Sequence, residues 1–239
     1  VLLGQGITIS NIKFNNSTIS ANTINDQIGQ FSNGATTNIG IDKGIILSTG
    51  NALIAAGPND QVQATLPTSN SVIGDNDLFI LSNNQNIRSV AILEFDFVPT
   101  GNKLNFNFVF ASEEYPEYAN ETYNDNFGFF LSGPGITGPF SGNATNIALI
   151  PTTSLPVSIN NLNNGDKNLG PCEYCQYYTD NTNGTTIQYD GFTKTIGATA
   201  DVQCGQTYHM KLAIANVGDD NFDSAVFIEG ASFSAAGID

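Results

Sequence analysis

Apolar and polar positions alternate with a period of two along most of the chain. In residues 89–97, Leu93, Phe95 and Phe97 fall on one face and Glu94 and Asp96 on the other. In 103–110, Leu104, Phe106, Phe108 and Phe110 alternate with Asn105, Asn107 and Val109. In 206–215, Tyr208, Met210, Leu212 and Ile214 alternate with His209, Lys211 and Ala213. Each pattern predicts a strand with one buried face. Shorter runs at 7–14, 44–48, 127–131, 146–150, 157–160, 186–189 and 225–233 bring the expected total to roughly ten strands. No 3.6-residue period is evident, although 23–31 reads as a short helix or turn. Asn33-Gly34, Asn164-Gly165, Asn183-Gly184 and Asp190-Gly191 supply residues suited to tight turns. The prediction is an all-β fold, an antiparallel β-sandwich or jelly-roll-like domain with long loops, forming one domain over 1–239. Residues 50–77 and 161–183 read as excursions from it.

Charge then removes several classes of function. The chain carries 22 Asp or Glu against 7 Lys or Arg and one His, a formal net charge of −15. Seven cations cannot neutralise a run of phosphates, so nucleic-acid binding is not expected. An anionic membrane surface is disfavoured for the same reason. No apolar run approaches the length of a bilayer span, so direct membrane insertion is not expected. Charged residues are only 12% of the chain, and its polarity rests instead on 31 Asn with Gly, Ser and Thr. The opening Val1-Leu2-Leu3-Gly4 has no basic stretch, so the sequence reads as a mature or excised piece of a larger protein.

Cys172, Cys175 and Cys204 are the three cysteines. A CxxC pair fits a redox couple, half a zinc site or a short disulfide. Zinc would have to recruit His209, at an unusual spacing from Cys204. A structural disulfide in an exported protein is expected, joining Cys204 to Cys172 or Cys175. His209 lies mid-strand, where a hydrogen-bonded sheet histidine is the commoner role than a catalytic one. The neighbours Glu113 and Glu114 would point to opposite faces of a strand, so they cannot flank one glycosidic bond. The chain is therefore not expected to be an enzyme.

Three segments are dense in oxygen ligands: Glu113-Glu114, Asn124-Asp125-Asn126 and Asp219-Asp220-Asn221-Phe222-Asp223. Calcium takes six to eight oxygens in relaxed geometry, and crowded carboxylates repel one another unless a cation lies between them. Glu113, Glu114, Asp125, Asp219, Asn221 and Asp223 are the candidate calcium ligands. Tyrosines on loops beside acids and amides suit sugar binding, since rings stack on pyranose faces. Tyr115 and Tyr118, with Asn124, are the candidate ligand-binding residues.

The blocks Phe110-Ala111-Ser112-Glu113-Glu114-Tyr115-Pro116-Glu117-Tyr118 and Tyr123-Asn124-Asp125-Asn126-Phe127-Gly128-Phe129-Phe130-Leu131-Ser132-Gly133 resemble the choice-of-anchor L domain. So do Leu93 to Phe97, Tyr189-Asp190-Gly191-Phe192-Thr193, Tyr208 to Ala215 and Phe222-Asp223-Ser224-Ala225-Val226-Phe227. The order holds from about Leu3 to Phe233. Asn216 departs from the pattern, standing where the family often has Asp. The resemblance implies an extracellular domain of a large bacterial surface or secreted protein. Such proteins are common among gliding bacteria that use type IX secretion, often as its cargo, and several resemble adhesins. The expected function is a calcium-stabilised adhesin domain binding a glycan or a surface protein. A structural spacer or assembly module of a surface filament is the alternative, and a glycoside hydrolase the third reading.

Overall fold

The structure is a computed structural model that describes residues 1–19, 25–68 and 74–235. Among the described residues, thirteen strands run β1 (Ile7–Phe14), β2 (Ser17–Thr18), β3 (Ile28–Phe31), β4 (Gly44–Ser48), β5 (Ile87–Pro99), β6 (Lys103–Ser112), β7 (Asn126–Ser132), β8 (Thr145–Asn146), β9 (Tyr178–Asp180), β10 (Gly191–Thr193), β11 (Ile196–Asp201), β12 (Tyr208–Val217) and β13 (Ser224–Glu229). One sheet has the order β2-β1-β5-β12-β7-β8. The other has the order β3-β4-β13-β6-β10-β9, with β11 also paired to β6. Every pairing between strands is antiparallel, and the two sheets pack face to face as the sandwich that the alternation predicts.

The alternating positions become the core. Phe95 and Phe97 of β5, Met210, Leu212 and Ile214 of β12, and Phe127 and Phe129 of β7 meet Phe106, Phe108 and Phe110 of β6 between the sheets. Phe108 touches Phe127 and Phe129 at ring-centroid distances of 5.2 and 5.1 Å. The outer faces are covered too. Leu78, on the one α-helix among the described residues, α1 (Asn76–Leu81), packs with Val90, Ile92, Phe130 and Ala213 on the six-stranded sheet. That helix straddles the end of the stretch 50–77, which the sequence pattern reads as an excursion from the sandwich. Asp75 caps it by accepting from the backbone N–H of Asp77 and Leu78, as an N-cap aspartate does.

Other expectations change. Residues 28–31, within the proposed helix or turn at 23–31, form β3, while 23 and 24 lie outside the described residues. The strands expected at 146–150, 157–160 and 186–189 shrink to β8 and isolated bridges such as Leu149 to Pro156 and Ala56 to Ile187. Strand β11 escaped the pattern because its inward residues beyond Ile196 are only Ala198 and Ala200, whose small side chains give a weak alternation.

The disulfide expectation is corrected. Cys172 is bonded to Cys175, and Cys204 is free and exposed. Cys204 sits beside Asn102 and Thr100, just before β6. The CxxC loop leads into β9, which lies through β10 against the far end of β6. Ten residues of strand separate the two places by about 30 Å, beyond the reach of any disulfide.

His209 is a half-buried sheet residue. Its Nδ1 lies 2.8 Å from Asp96 Oδ1 and its Nε2 3.4 Å from Glu94 Oε1. The bond to Glu94 raises the imidazole pKa against the opposing effect of burial, and Asp96 adds to the rise. Glu94 is lowered chiefly by His209, and Asp96 chiefly by Asn11 and then His209, each against burial. The bridge therefore stabilises the fold fully above the carboxylates' ordinary values of 4.5 and 3.8 and below the histidine's 6.5. Its contribution fades as pH falls through the lowered carboxylate values, or rises through the raised histidine value. Because 43% of the histidine side chain is exposed, solvent screening limits the effect to roughly 0.5 kcal/mol. The stability advantage of the parent over His209→Gln, read from melting curves in the same buffer, should shrink slightly between pH 6 and 8.

Candidate functional site

At one end of the sandwich, four carboxylates each stand next to a strand terminus. Glu113 follows β6, Asp125 precedes β7, Asp190 precedes β10 and Asp223 precedes β13. The antiparallel pairing explains the convergence, since Ser112 at the end of β6 pairs with both Ser224 and Gly191. All four are buried, as is Glu114.

The two neighbouring glutamates serve different sides of this rim, although both lie in the turn after β6 and not on the strand that the alternation argument assumes. Glu113 is 0% exposed; its Oε2 accepts from the backbone N–H of Ala64 at 3.2 Å, and its Oε1 has no partner. Burial, then the charge of Asp190 and more weakly that of Asp223, push its pKa up to about 9. Asp190 accepts from Asn59 Nδ2 at 2.7 Å through Oδ1 and leaves Oδ2 unpartnered. Burial holds its pKa at about 7. Asp223 is likewise raised by burial to about 7, although the N–H of Leu66 donates to it at 2.7 Å. A Cβ added at Gly50 would come within 2.5 Å of the Asp223 carboxyl, so glycine is what lets this aspartate lie down against the loop.

On the other side, Glu114 feels the charges of Asp125 and Asp219. Burial first, and then those two charges, raise the Glu114 pKa strongly. Its Oε2 is buried without a partner. Asp125 is raised mainly by burial while accepting from the Val217 N–H at 2.8 Å and the Ser224 hydroxyl at 2.7 Å. The nearby Asn216 donates to the Asn221 carbonyl, yet its own Oδ1 is buried and unpartnered. Asn221 is an exposed loop residue whose N–H bonds Asp219.

None of the groups acting most strongly on these five acids is a lysine or arginine. Among the described residues, the ion pairs are those of His209 and Lys211 on the six-stranded sheet. Nor do three His, Cys, Asp or Glu side chains close on one point as a ready metal cage among those residues. A hard cation at this rim would take two carboxylates at a time and complete its shell with amide and backbone oxygens, a mixture calcium accepts. The unpartnered oxygens of Glu113, Glu114, Asp190 and Asn216 suit such a cation, since a buried polar atom without a partner costs free energy.

The aromatic expectation divides. Tyr115 is corrected from a ligand-binding residue to a core residue. It is fully buried, its hydroxyl donates to the Leu162 carbonyl at 2.6 Å, and its ring packs on Tyr178. A ring closed off from solvent cannot stack on a sugar. Asn124 is engaged in the loop, its Oδ1 accepting from the Asn160 N–H. Tyr118 remains partly exposed, stacked on Phe222 at 5.4 Å and edge-on to Tyr123 at 5.6 Å. Gln63 donates to the Tyr118 hydroxyl, and Thr65 accepts from the Phe222 N–H. The loop carrying Gln63 and Thr65 thus backs this ring surface, and its Ala64 backbone bonds Glu113.

Sequence reasoning missed Asp190, Asn59, Phe222 and Gln188, whose side chain bonds Asn59 Oδ1 and the Gln61 carbonyl. Asp190-Gly191 reads as a turn pair, though Asp190 shares with Asp125 and Asp223 the signal of an aspartate one step before a strand. A family model described as the Choice-of-anchor L domain matches residues 1–234. No curated protein and no solved structure gives a significant match.

Proposed function

The chain belongs to the choice-of-anchor L domain family, a family of bacterial surface-associated domains, and from that premise we propose that it is an extracellular recognition domain of an adhesin. It is non-enzymatic, part of a larger surface protein, and uses its acidic rim to bind a partner. Calcium held by Glu114 and Asp125, its shell completed by amide and backbone oxygens, pins the rim, and the Tyr118, Tyr123 and Phe222 rings take a glycan. The observation that carries this reading is the burial of Glu114 against two further acids, with no cationic side chain to neutralise them. A buried carboxylate without a counter-ion is costly, and its position beside exposed rings gives the cost a use. Rings beside amides and acids bind sugars through stacking on one side and hydroxyl hydrogen bonds on the other.

A glycan array probed with the 239-residue chain tests it. Binding to a defined set of glycans in calcium should fall at least tenfold in EGTA and in Tyr118→Ala. No glycan bound under either condition, with calcium still raising the melting temperature, would transfer the function to the spacer reading. Release of reducing sugar from a bound glycan would transfer it to the hydrolase reading.

A further inference from the structure

Glu113 and Asp190 are both buried, 0% and 1% exposed, and each has one oxygen engaged and one without a partner. The engaged oxygens are held by the polypeptide at 57–66: Ala64 donates its N–H to Glu113 Oε2, and Asn59 its side-chain amide to Asp190 Oδ1. Gly191 pairs with Ser112, so Asp190 and Glu113 leave the paired strands side by side, and Asp190 is the charge acting most strongly on Glu113. Beside them Gln188 donates to the Gln61 carbonyl at 2.9 Å and to Asn59 Oδ1 at 3.3 Å. Two carboxylates, two amide side chains and a backbone carbonyl thus gather in one place, beneath one loop, with two oxygens unsatisfied.

We infer that Glu113 and Asp190, with Asn59, Gln188 and the Gln61 carbonyl, form a second divalent-cation site, separate from the one at Glu114 and Asp125. A hard cation of the calcium class fits because it satisfies both unpartnered oxygens at once. A proton shared between them would engage the same two oxygens but none of the amide and carbonyl oxygens beside them, which a cation also takes. The shell needs few charges, since amide and carbonyl oxygens are ordinary calcium ligands. Its consequence is mechanical. The loop it fastens carries Gln63 and Thr65, which hold Tyr118 and Phe222, so occupancy sets the ring surface in place. The inference rests on the reading of this rim as a cation-bound end, but on different residues.

Calcium alone, titrated calorimetrically into the 239-residue chain, is the probe. Two equivalents are expected for the parent and one for Asp190→Asn. Asp125→Asn should also bind one, and the double variant none. Glu113→Gln serves as an independent replacement on the same site, and near-ultraviolet circular dichroism confirms folding of each variant. Loss of an equivalent in Asp190→Asn and Glu113→Gln, but not in Asp125→Asn, upholds this site and removes the Glu114 site. Loss in Asp125→Asn alone, with Asp190→Asn unchanged from the parent, overturns this inference and leaves the proposed function standing. No calcium bound by the parent overturns both.

Discussion

In EGTA, the protein should melt at a markedly lower temperature at pH 8.5 than at pH 5.5, and millimolar calcium should remove the difference. The sign follows from carboxyls whose folded pKa lies above the ordinary value: Glu113 at about 9, Asp190 and Asp223 at about 7. A group with a raised folded pKa holds its proton more firmly in the folded state. Its contribution is fully present below the ordinary carboxylate range and is lost as pH rises through the folded value. At pH 7.5, one carboxyl shifted as Glu113 is costs about 4 kcal/mol relative to the same group at pH 4.5. For a domain of this size, that alone lowers the melting temperature by roughly 8–16 °C. A bound divalent cation replaces the proton and stabilises the ionised carboxylates, so the calcium curve should stay level above pH 6. The two curves should converge near pH 5, where protons displace the metal. A decline of equal slope with and without calcium would mean that protons alone serve these acids. A level profile in EGTA would mean that they are not buried as placed here.

The strands that form the core were legible in sequence because their alternation is carried by large side chains. Phe106, Phe108 and Phe110 announce an inward face that Asn105 and Asn107 do not share. Where inward positions are alanine, as at Ala198 and Ala200, the same period is present but too faint to read. The acidic rim was legible in part for a related reason. Acids at strand ends are unusual in a chain so poor in cations, which brought Glu113, Asp125 and Asp223 to notice. Which acids share a site was not legible, because that depends on strand order. Asp190 reaches Glu113 only because β10 pairs with the last residues of β6, a contact across 77 residues of chain that no local pattern encodes. Tyr115 misled for the opposite reason. Its neighbours in sequence are rim residues, yet its own side chain turns inward to Leu162, and a tyrosine whose hydroxyl finds a buried acceptor is as good a core residue as phenylalanine.

Phe108→Ala should be the most damaging single substitution in the core, at about 3–5 kcal/mol, or roughly 6–20 °C in melting temperature. Phe108 is 0% exposed and its ring meets two others of the facing sheet. Neither neighbour is free to collapse into the gap, because Phe127 is also stacked on Phe110 at 5.2 Å and Phe129 packs on Phe106 at 4.9 Å. The substitution lies four residues before Ser112, about 13 Å along the strand from the acids. Calcium stoichiometry measured below the lowered melting temperature should therefore equal that of the parent. Asp125→Asn should behave in the reverse way. It should lose a calcium equivalent, while its melting temperature in EGTA at pH 8 stays level or rises, since a neutral amide replaces a buried charge without a counter-ion. Scanning calorimetry paired with calcium titration reads both. If Phe108→Ala instead lost calcium and kept its stability, the core would not lie between the sheets as described. If Asp125→Asn fell as far in EGTA as Phe108→Ala, the bonds from Val217 and Ser224 would outweigh the cost of the buried charge, and the rim would be held together by its hydrogen bonds rather than by a cation.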